Sequence, residues 1–302
     1  MLGCVSNKVV GPGCEICLSP DIVRVHDSLN VGRCSSCGLV SLIVKPSAEQ
    51  VFALYSSTTD YENYVAAQRD DALDKRYAAT LGRLQTLLSA RPGQQVLFDV
   101  GAGAGAFLER AAKHGFDVCG NEISSPASQL CFEQHGIRLS NAVLEEESGQ
   151  DRFDAMTMWC VLAHVTDPRA ALAAALRLIK PGGVLYFQTP RWCAMDTAGL
   201  ALCRITRGRL SLITNRRISL AHMRLYDRAN LSQLVADVGF EVIHVRPKAT
   251  YSLKTVSYLE SLNFPQVTRQ PLSRALDLLI DRNLFPRNVL EVYLRKPRPA
   301  QR

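Results

Sequence analysis

The chain of 302 residues is 47% apolar, enough for one substantial core and a small accessory module. Its 35 basic against 28 acidic residues give a net charge of +7, which favours anionic partners but includes no polybasic block of the kind that demands nucleic acid. No apolar run reaches the length of a membrane helix, and the start, Met1 to Lys8, lacks the apolar core of a secretory signal, so a cytoplasmic protein with reduced cysteines is expected.

Ten cysteines in a reducing compartment need another account, and four supply it. Cys14-x-x-Cys17 and Cys34-x-x-Cys37 are separated by sixteen residues, a spacing that reads as a structural zinc site. Four thiolates on two tight turns close a tetrahedral shell around Zn2+ and leave no position open for water, so the metal is a fold staple. The stretch between the pairs, Ile22 to Val31, alternates as a hairpin does. A zinc ribbon over residues 10–45 is too small to bury a sufficient core, and metal binding, on the order of 10 kcal/mol, would supply its folding energy. Two unrelated cysteine pairs are the alternative, and His26 is a rival ligand that reads better as a surface residue. Cys4, Cys119, Cys131, Cys160, Cys193 and Cys203 read as buried apolar fillers or bystanders. A tyrosine-rich connector, Tyr55 to Tyr64, then either packs the ribbon onto the rest or covers a ligand.

Residues 71–89 carry Leu73, Tyr77, Leu81, Leu84 and Leu88 on one helical stripe that stops before Arg91-Pro92-Gly93. Beyond it the pattern alternates: strand 95–100, helix 105–114, strand 117–122, helix 125–135, a short strand 137–141, strand 153–158, helix 169–179 and strand 183–189. A helix at 228–238 and strands at 240–245 and 289–294 follow. Strands and helices in this order predict a parallel, doubly wound α/β sheet.

Between the first two strands lie Gly101, Gly103 and Gly105, which let the backbone take positive φ and approach a ligand while the next helix aims free N–H groups at it. The string also fits the dinucleotide pattern Gly-x-Gly-x-x-Gly/Ala, with Glu122 where a ribose-binding acid belongs. Asp99 helps to choose. A carboxylate two residues before the first glycine would repel a pyrophosphate and attract a cationic amino group, such as the one S-adenosyl-L-methionine carries.

Asp99, the glycines and Glu122, together with the later Lys180-Pro181-Gly182-Gly183 turn and its strand, resemble class I, seven-strand Rossmann-like S-adenosylmethionine-dependent methyltransferases over roughly residues 72–240. The resemblance implies a methyltransferase domain over 46–302, with substrate-cap insertions near 191–224 and 247–287. It also implies that Gly101, Ala102 and Gly103 line the methionine portion, that Asp99 meets its amino group, that Glu122 accepts both ribose hydroxyls, and that Ile123 and Asn141 flank the adenine. Trp159, at the end of the fourth strand, is a cofactor wall or a core aromatic; Phe107 reads as core.

If the acceptor is a hydroxyl its proton must leave, and two histidines are candidate catalytic bases. His164 follows the fourth strand, though Ala163 replaces the glutamate of the family's Glu-His-Val pattern; a helix-start or core role is its alternative. His222 resembles a histidine at the family's cleft rim. His114 and His135 read as helix caps. Arg204, Arg207, Arg209, Arg216 and Arg217, flanked by Arg191 and Arg224, fit either a phosphorylated acceptor or a solvated or membrane-facing helix. The expected activity is methyl transfer to a small-molecule or glycan-type acceptor at a hydroxyl oxygen. An RNA methyltransferase using the ribbon, or a cofactor-binding module without catalysis, are the other readings; nucleic acid is disfavoured because no base-methylating Asn-Pro-Pro-aromatic motif is present.

Overall fold

The computed structural model describes residues 8–9, 13–54, 70–89, 93–209, 217–218, 222–250, 254–261, 263–282 and 284–299. The connector Tyr55 to Tyr64, Cys4 and Arg216 lie outside the described residues.

Two sheets organise the molecule. The first holds five antiparallel strands in the order β1-β2-β3-β4-β9: β1 (Lys8–Val9), β2 (Ile22–Arg24), β3 (Val31–Cys34), β4 (Val40–Leu42) and, from far along the chain, β9 (Arg224–Leu225). The predicted hairpin is β2 with β3, Ile22 opposite Cys34. The short helix α1 (Ala48–Leu54) follows β4.

The second sheet is mixed and has six strands in the order β10-β11-β8-β7-β5-β6. They are β5 (Val96–Val100), β6 (Asp117–Asn121), β7 (Phe153–Trp159), β8 (Ile179–Pro190), β10 (Glu241–Lys248) and β11 (Val289–Arg295). β6, β5, β7 and β8 run parallel, whereas β11 returns antiparallel to β8. β7 is buried from Phe153 to Met158, as a central strand covered on both faces must be.

Six strands among the described residues replace the seven expected. The predicted strand 137–141 contributes a single bridge, Ser140 opposite Asn121. Beyond that bridge the Glu122 carbonyl accepts from the Asn141 side-chain amide, not from a ladder N–H, so pairing stops after one residue. The predicted Lys180-Pro181-Gly182-Gly183 turn also differs. It lies inside β8 as a bulge, since Phe153 faces Ile179 while Ala155 already faces Val184. Strand β10 runs past the predicted end at residue 245 and takes in Pro247, which its edge position tolerates.

Helices cover both faces of this sheet. On one side α2 (Asp70–Leu88) buries Leu81, Leu84 and Leu88 completely, the stripe its sequence carries, beside α3 (Ala106–Lys113) with Phe107 and Leu108. On the other, α5 (Pro168–Leu178) and α7 (Arg228–Val238) share a core with β7, β8 and β11. Both helices are capped at the start: Asp167 accepts from the N–H of Arg169 and Ala170, and Asp227 exchanges reciprocal bonds with Asn230. Helix α4 (Ser125–His135) follows β6; α6 (Ala194–Ile205) occupies the first insertion, α8 (Thr255–Ser261) and α9 (Gln266–Asp281) the second.

The small sheet is not an appendage. Cys14, Ile16, Cys34 and Leu39 belong to the same apolar core as α5 and α7, while Val25, Val31 and Val40 pack with Leu200 and Cys203 of α6.

Candidate active site

β5 ends in the glycine turn. Gly101, Gly103 and Gly105 have φ of +65°, +57° and +81°, and the turn opens directly into α3. Two of them are required by space as well as by conformation. A Cβ on Gly105 would stand 2.4 Å from the Cys131 sulfur, and one on Gly101 would stand 2.8 Å from a Val161 methyl. Gly101 itself is exposed, so the mouth of the turn is open despite these close neighbours.

The turn is held from β6. Asn121 receives the N–H of Gly101 on its side-chain oxygen (3.3 Å) and that of Ala102 on its carbonyl (3.0 Å), and its own amide donates to the Ala142 carbonyl. Glu122, 9% exposed, accepts from the Gly103 N–H at 2.8 Å on one oxygen and from the Ser124 N–H at 2.8 Å on the other. An ionised carboxylate has about four lone-pair sites, so these bonds leave it capacity to accept from a ligand. Ile123 is half-buried beside it. Asn141 is exposed, but one of its amide hydrogens already serves the Glu122 carbonyl at 2.9 Å.

Asp99 lies within β5 beneath the turn rather than at an open strand mouth, and is 2% exposed. Burial pushes its carboxyl up to about 8 even though the Thr157 hydroxyl donates to it, and the neighbouring charge of Glu122 adds to the rise. Burial likewise raises Glu122, against the N–H bonds from Ser124, Gly103 and Ile123. Among the described residues neither acid has an ion-pair partner. Two buried acids, both raised by desolvation and one further by its neighbour, fit a cationic ligand, and an amino-acid sulfonium compound with a ribose diol matches both the charge and the acceptors.

Trp159 closes β7 half-buried within an aromatic group, its ring 4.7 Å from Tyr77, 5.0 Å from Phe107 and 5.0 Å from Tyr186. It therefore packs α2 and α3 onto the sheet. Its indole N–H is buried without a hydrogen-bond partner among the described residues.

After Trp159 the chain turns through Cys160 at φ +64°, an uncommon conformation for a residue with a side chain, then one 3-10 turn, Val161–Ala163, and His164. The Met223 N–H donates to the Ala163 carbonyl, and the two predicted histidines meet: the rings of His164 and His222, 58 positions apart, have centroids 4.7 Å apart.

The arginine cluster is mostly structural. Arg217 pairs with buried Asp196 at 2.7 Å and caps the carbonyls of Arg191 and Asn288, Arg204 donates to the Val25 carbonyl, and Arg224 is fully buried against Glu15. Arg207 and Arg209 are exposed. Spacing leaves an anion site and a solvated or membrane-facing helix equally open; long-range acids and carbonyls, invisible to spacing, divide the arginines.

The sulfur atoms of Cys14, Cys17, Cys34 and Cys37 all lie within 4.8 Å of one another, with Cys14 to Cys37 at 3.4 Å and Cys17 to Cys34 at 3.5 Å. Thiolates about 2.3 Å from a tetrahedral zinc would be about 3.8 Å apart, so the donor set fits that ion. The Cys37 N–H also points at the Cys34 sulfur. His26 bonds Ser28 instead of joining the cluster.

The model of the family described as "Methyltransferase domain" matches residues 67–245, more than half of the chain and the whole of the turn, both acids and both histidines. The chain belongs to this methyltransferase family. Among curated relatives, the ubiquinone biosynthesis O-methyltransferase of Alkalilimnicola ehrlichii is 37% identical over 110 residues, 34% of this chain and 44% of that protein; the one of Methylococcus capsulatus is 36% identical over 99 residues, 30% and 41%. The chain thus spans less than half the length of these relatives. Among solved structures, the [4+2]-cyclase SpnF superposes with a TM-score of 0.58 at 18% identity, covering 84% of this chain and 98% of its own. Magnesium protoporphyrin IX methyltransferase from Synechocystis PCC 6803 gives 0.53 at 13%, covering 82% and 97%. These two likenesses are of fold. No helix of this methyltransferase among the described residues is long and apolar enough to cross a membrane.

Proposed function

We propose that this methyltransferase acts on a hydroxyl oxygen of a small molecule, and the observation that carries the proposal is the His164–His222 pair, assembled beside the exit of β7 on the side of the sheet where the glycine turn lies. The relatives' printed name, ubiquinone biosynthesis O-methyltransferase, supports a small-molecule acceptor at oxygen. It sets aside the glycan-type acceptor expected from the sequence and does not favour the RNA or non-catalytic readings.

When bound, S-adenosylmethionine supplies an electrophilic methyl group on a positively charged sulfur. Asp99 and Glu122 hold that cofactor by charge and by acceptors for its ribose hydroxyls, with the backbone of Gly101, Ala102 and Gly103 along its amino-acid end. Ile123 and Asn141 flank the adenine, and Trp159 stiffens the wall behind. One ring nitrogen of the histidine pair takes the proton of the acceptor's hydroxyl as the oxygen gains its methyl, so that no charged alkoxide need form. The insertions near 191–224 and 247–287 select the acceptor, and residues 10–45 form a ribbon stapled by Zn2+ on Cys14, Cys17, Cys34 and Cys37.

The test is a screen of hydroxylated small molecules with labelled cofactor, followed by His164→Ala and His222→Ala on the acceptor found. A base contributes about 10²- to 10⁴-fold. The expected result is a loss of that size in kcat from at least one variant with unchanged cofactor affinity; full turnover in both variants would remove the histidines from the mechanism.

A further inference from the structure

The small sheet and the histidine pair are joined through one buried guanidinium. Arg224, in β9, is two residues after His222 and 0% exposed. Its Nε and one Nη grip the two oxygens of Glu15 as a fork, the second contact at 2.8 Å. The remaining donors reach the carbonyls of Val165 and, at 2.7 Å, Thr166, the two residues after His164. Glu15 lies in the first cysteine knuckle, directly after Cys14, and Lys45 at the ribbon's exit also pairs with it. Backbone bonds run the same way: β4 pairs with β9, the Leu42 N–H donates to the Met223 carbonyl, and the Met223 N–H donates to that of Ala163.

From this we infer that Glu15 is a positioning residue for the two histidines, acting through Arg224. The inference rests on the proposed catalytic role of the pair only for its effect on turnover. A knuckle fixed by four sulfur ligands fixes the Glu15 carboxylate, the carboxylate fixes the plane of the guanidinium, and that plane sets the separation between the loop carrying His164 and the strand that follows His222. The ribbon is then part of the active-site frame, with Glu15 209 positions from Arg224 in sequence.

Glu15→Gln keeps the size of the side chain and removes the charge and one acceptor, in the full-length protein. Three measurements separate positioning from stability: metal content per chain, cofactor affinity by calorimetry, and the imidazole signals of His164 and His222 in proton–nitrogen spectra. The expected outcome is one zinc per chain, unchanged cofactor affinity, displaced signals from both rings, and a kcat lowered about 10- to 100-fold with KM for the acceptor held, as misplacement by a fraction of an ångström to an ångström produces. Glu15→Asp restores the charge and should recover part of both the signals and the rate, which also serves if the glutamine variant does not fold. Rings that keep their signals in a folded, zinc-loaded variant would overturn the inference. Displaced rings with full turnover would uphold it and count instead against a catalytic role for the histidines.

Discussion

Two buried carboxylate environments in this protein differ in how their charge is met. Around Arg224 four of the five guanidinium N–H donors have an acceptor, and Glu15 is held below the usual carboxylate range because Arg224 and Lys45 outweigh the desolvation that would raise it. Around the glycine turn, Asp99 and Glu122 are buried together with neutral donors only, and both are raised. A satisfied buried pair is a joint in the frame. Two buried acids met by neutral donors alone ionise at a cost that a ligand of opposite sign relieves, and that is the difference between a structural and a binding use of the same residue type.

The comparison breaks most visibly at Arg224. Arg224→Met keeps the bulk but leaves Glu15 with Lys45 as its one cation and the two carbonyls of the 165–166 loop without their guanidinium donor. Removing one partner of a buried ion pair costs about 3–5 kcal/mol. Urea denaturation should show a loss of that order, and a loss near zero would mean that the joint carries no structural load.

A smaller effect, and one on binding rather than folding, is expected at Glu122. In Glu122→Gln only one oxygen remains to accept, so one of the two N–H bonds from Gly103 and Ser124 is lost at about 1 kcal/mol, partly offset because the buried charge is gone. Hydrogen bonds to a charged group contribute about 1.5–3 kcal/mol, so cofactor affinity should fall roughly 10- to 100-fold by calorimetry while the fold persists. Unchanged affinity would take Glu122 out of the site.

The same contrast explains what the sequence disclosed. The turn, both acids and the strands beside them lie within 27 residues, Val96 to Glu122, so periodicity and glycine spacing suffice to read them, and the four cysteines are legible because metal ligands come in fixed spacings. Asn121 was passed over, although a side chain able to hold the turn from the end of β6 could have been sought there. Cys160's left-handed backbone, Val161 over Gly101, and the Glu15–Arg224 joint left no local signal: each is a contact between segments 60 to 209 positions apart, or a conformation imposed by packing. His164 and His222 could be named one at a time, but nothing in the sequence places them face to face. The missing seventh strand has a similar origin, a side-chain bond from Asn141 ending a ladder that alternation alone would have continued.

The mildest effect is a dependence on pH carried by Asp99. Its folded value of about 8 lies well above the ordinary aspartate value of 3.8, so between those limits the native protein keeps a proton that the unfolded chain has released. The unfolded state then binds fewer protons, and stability falls as pH rises through that window and levels off above about 8. A cofactor bearing positive charge at the turn favours the ionised carboxylate, so its uptake should expel a proton below pH 8 and its apparent affinity should climb toward that pH. Calorimetry of cofactor binding near neutral pH, in buffers of different ionisation enthalpy, reads this proton directly. Asp99→Asn keeps a neutral, hydrogen-bonding group beside Thr157, and should bind more weakly, release no proton, and lose the wild type's decline in stability with pH. A wild type that binds without proton release would mean that Asp99 does not change its protonation when the turn is filled, and the contrast between satisfied and unsatisfied buried acids would then rest on Glu122 alone.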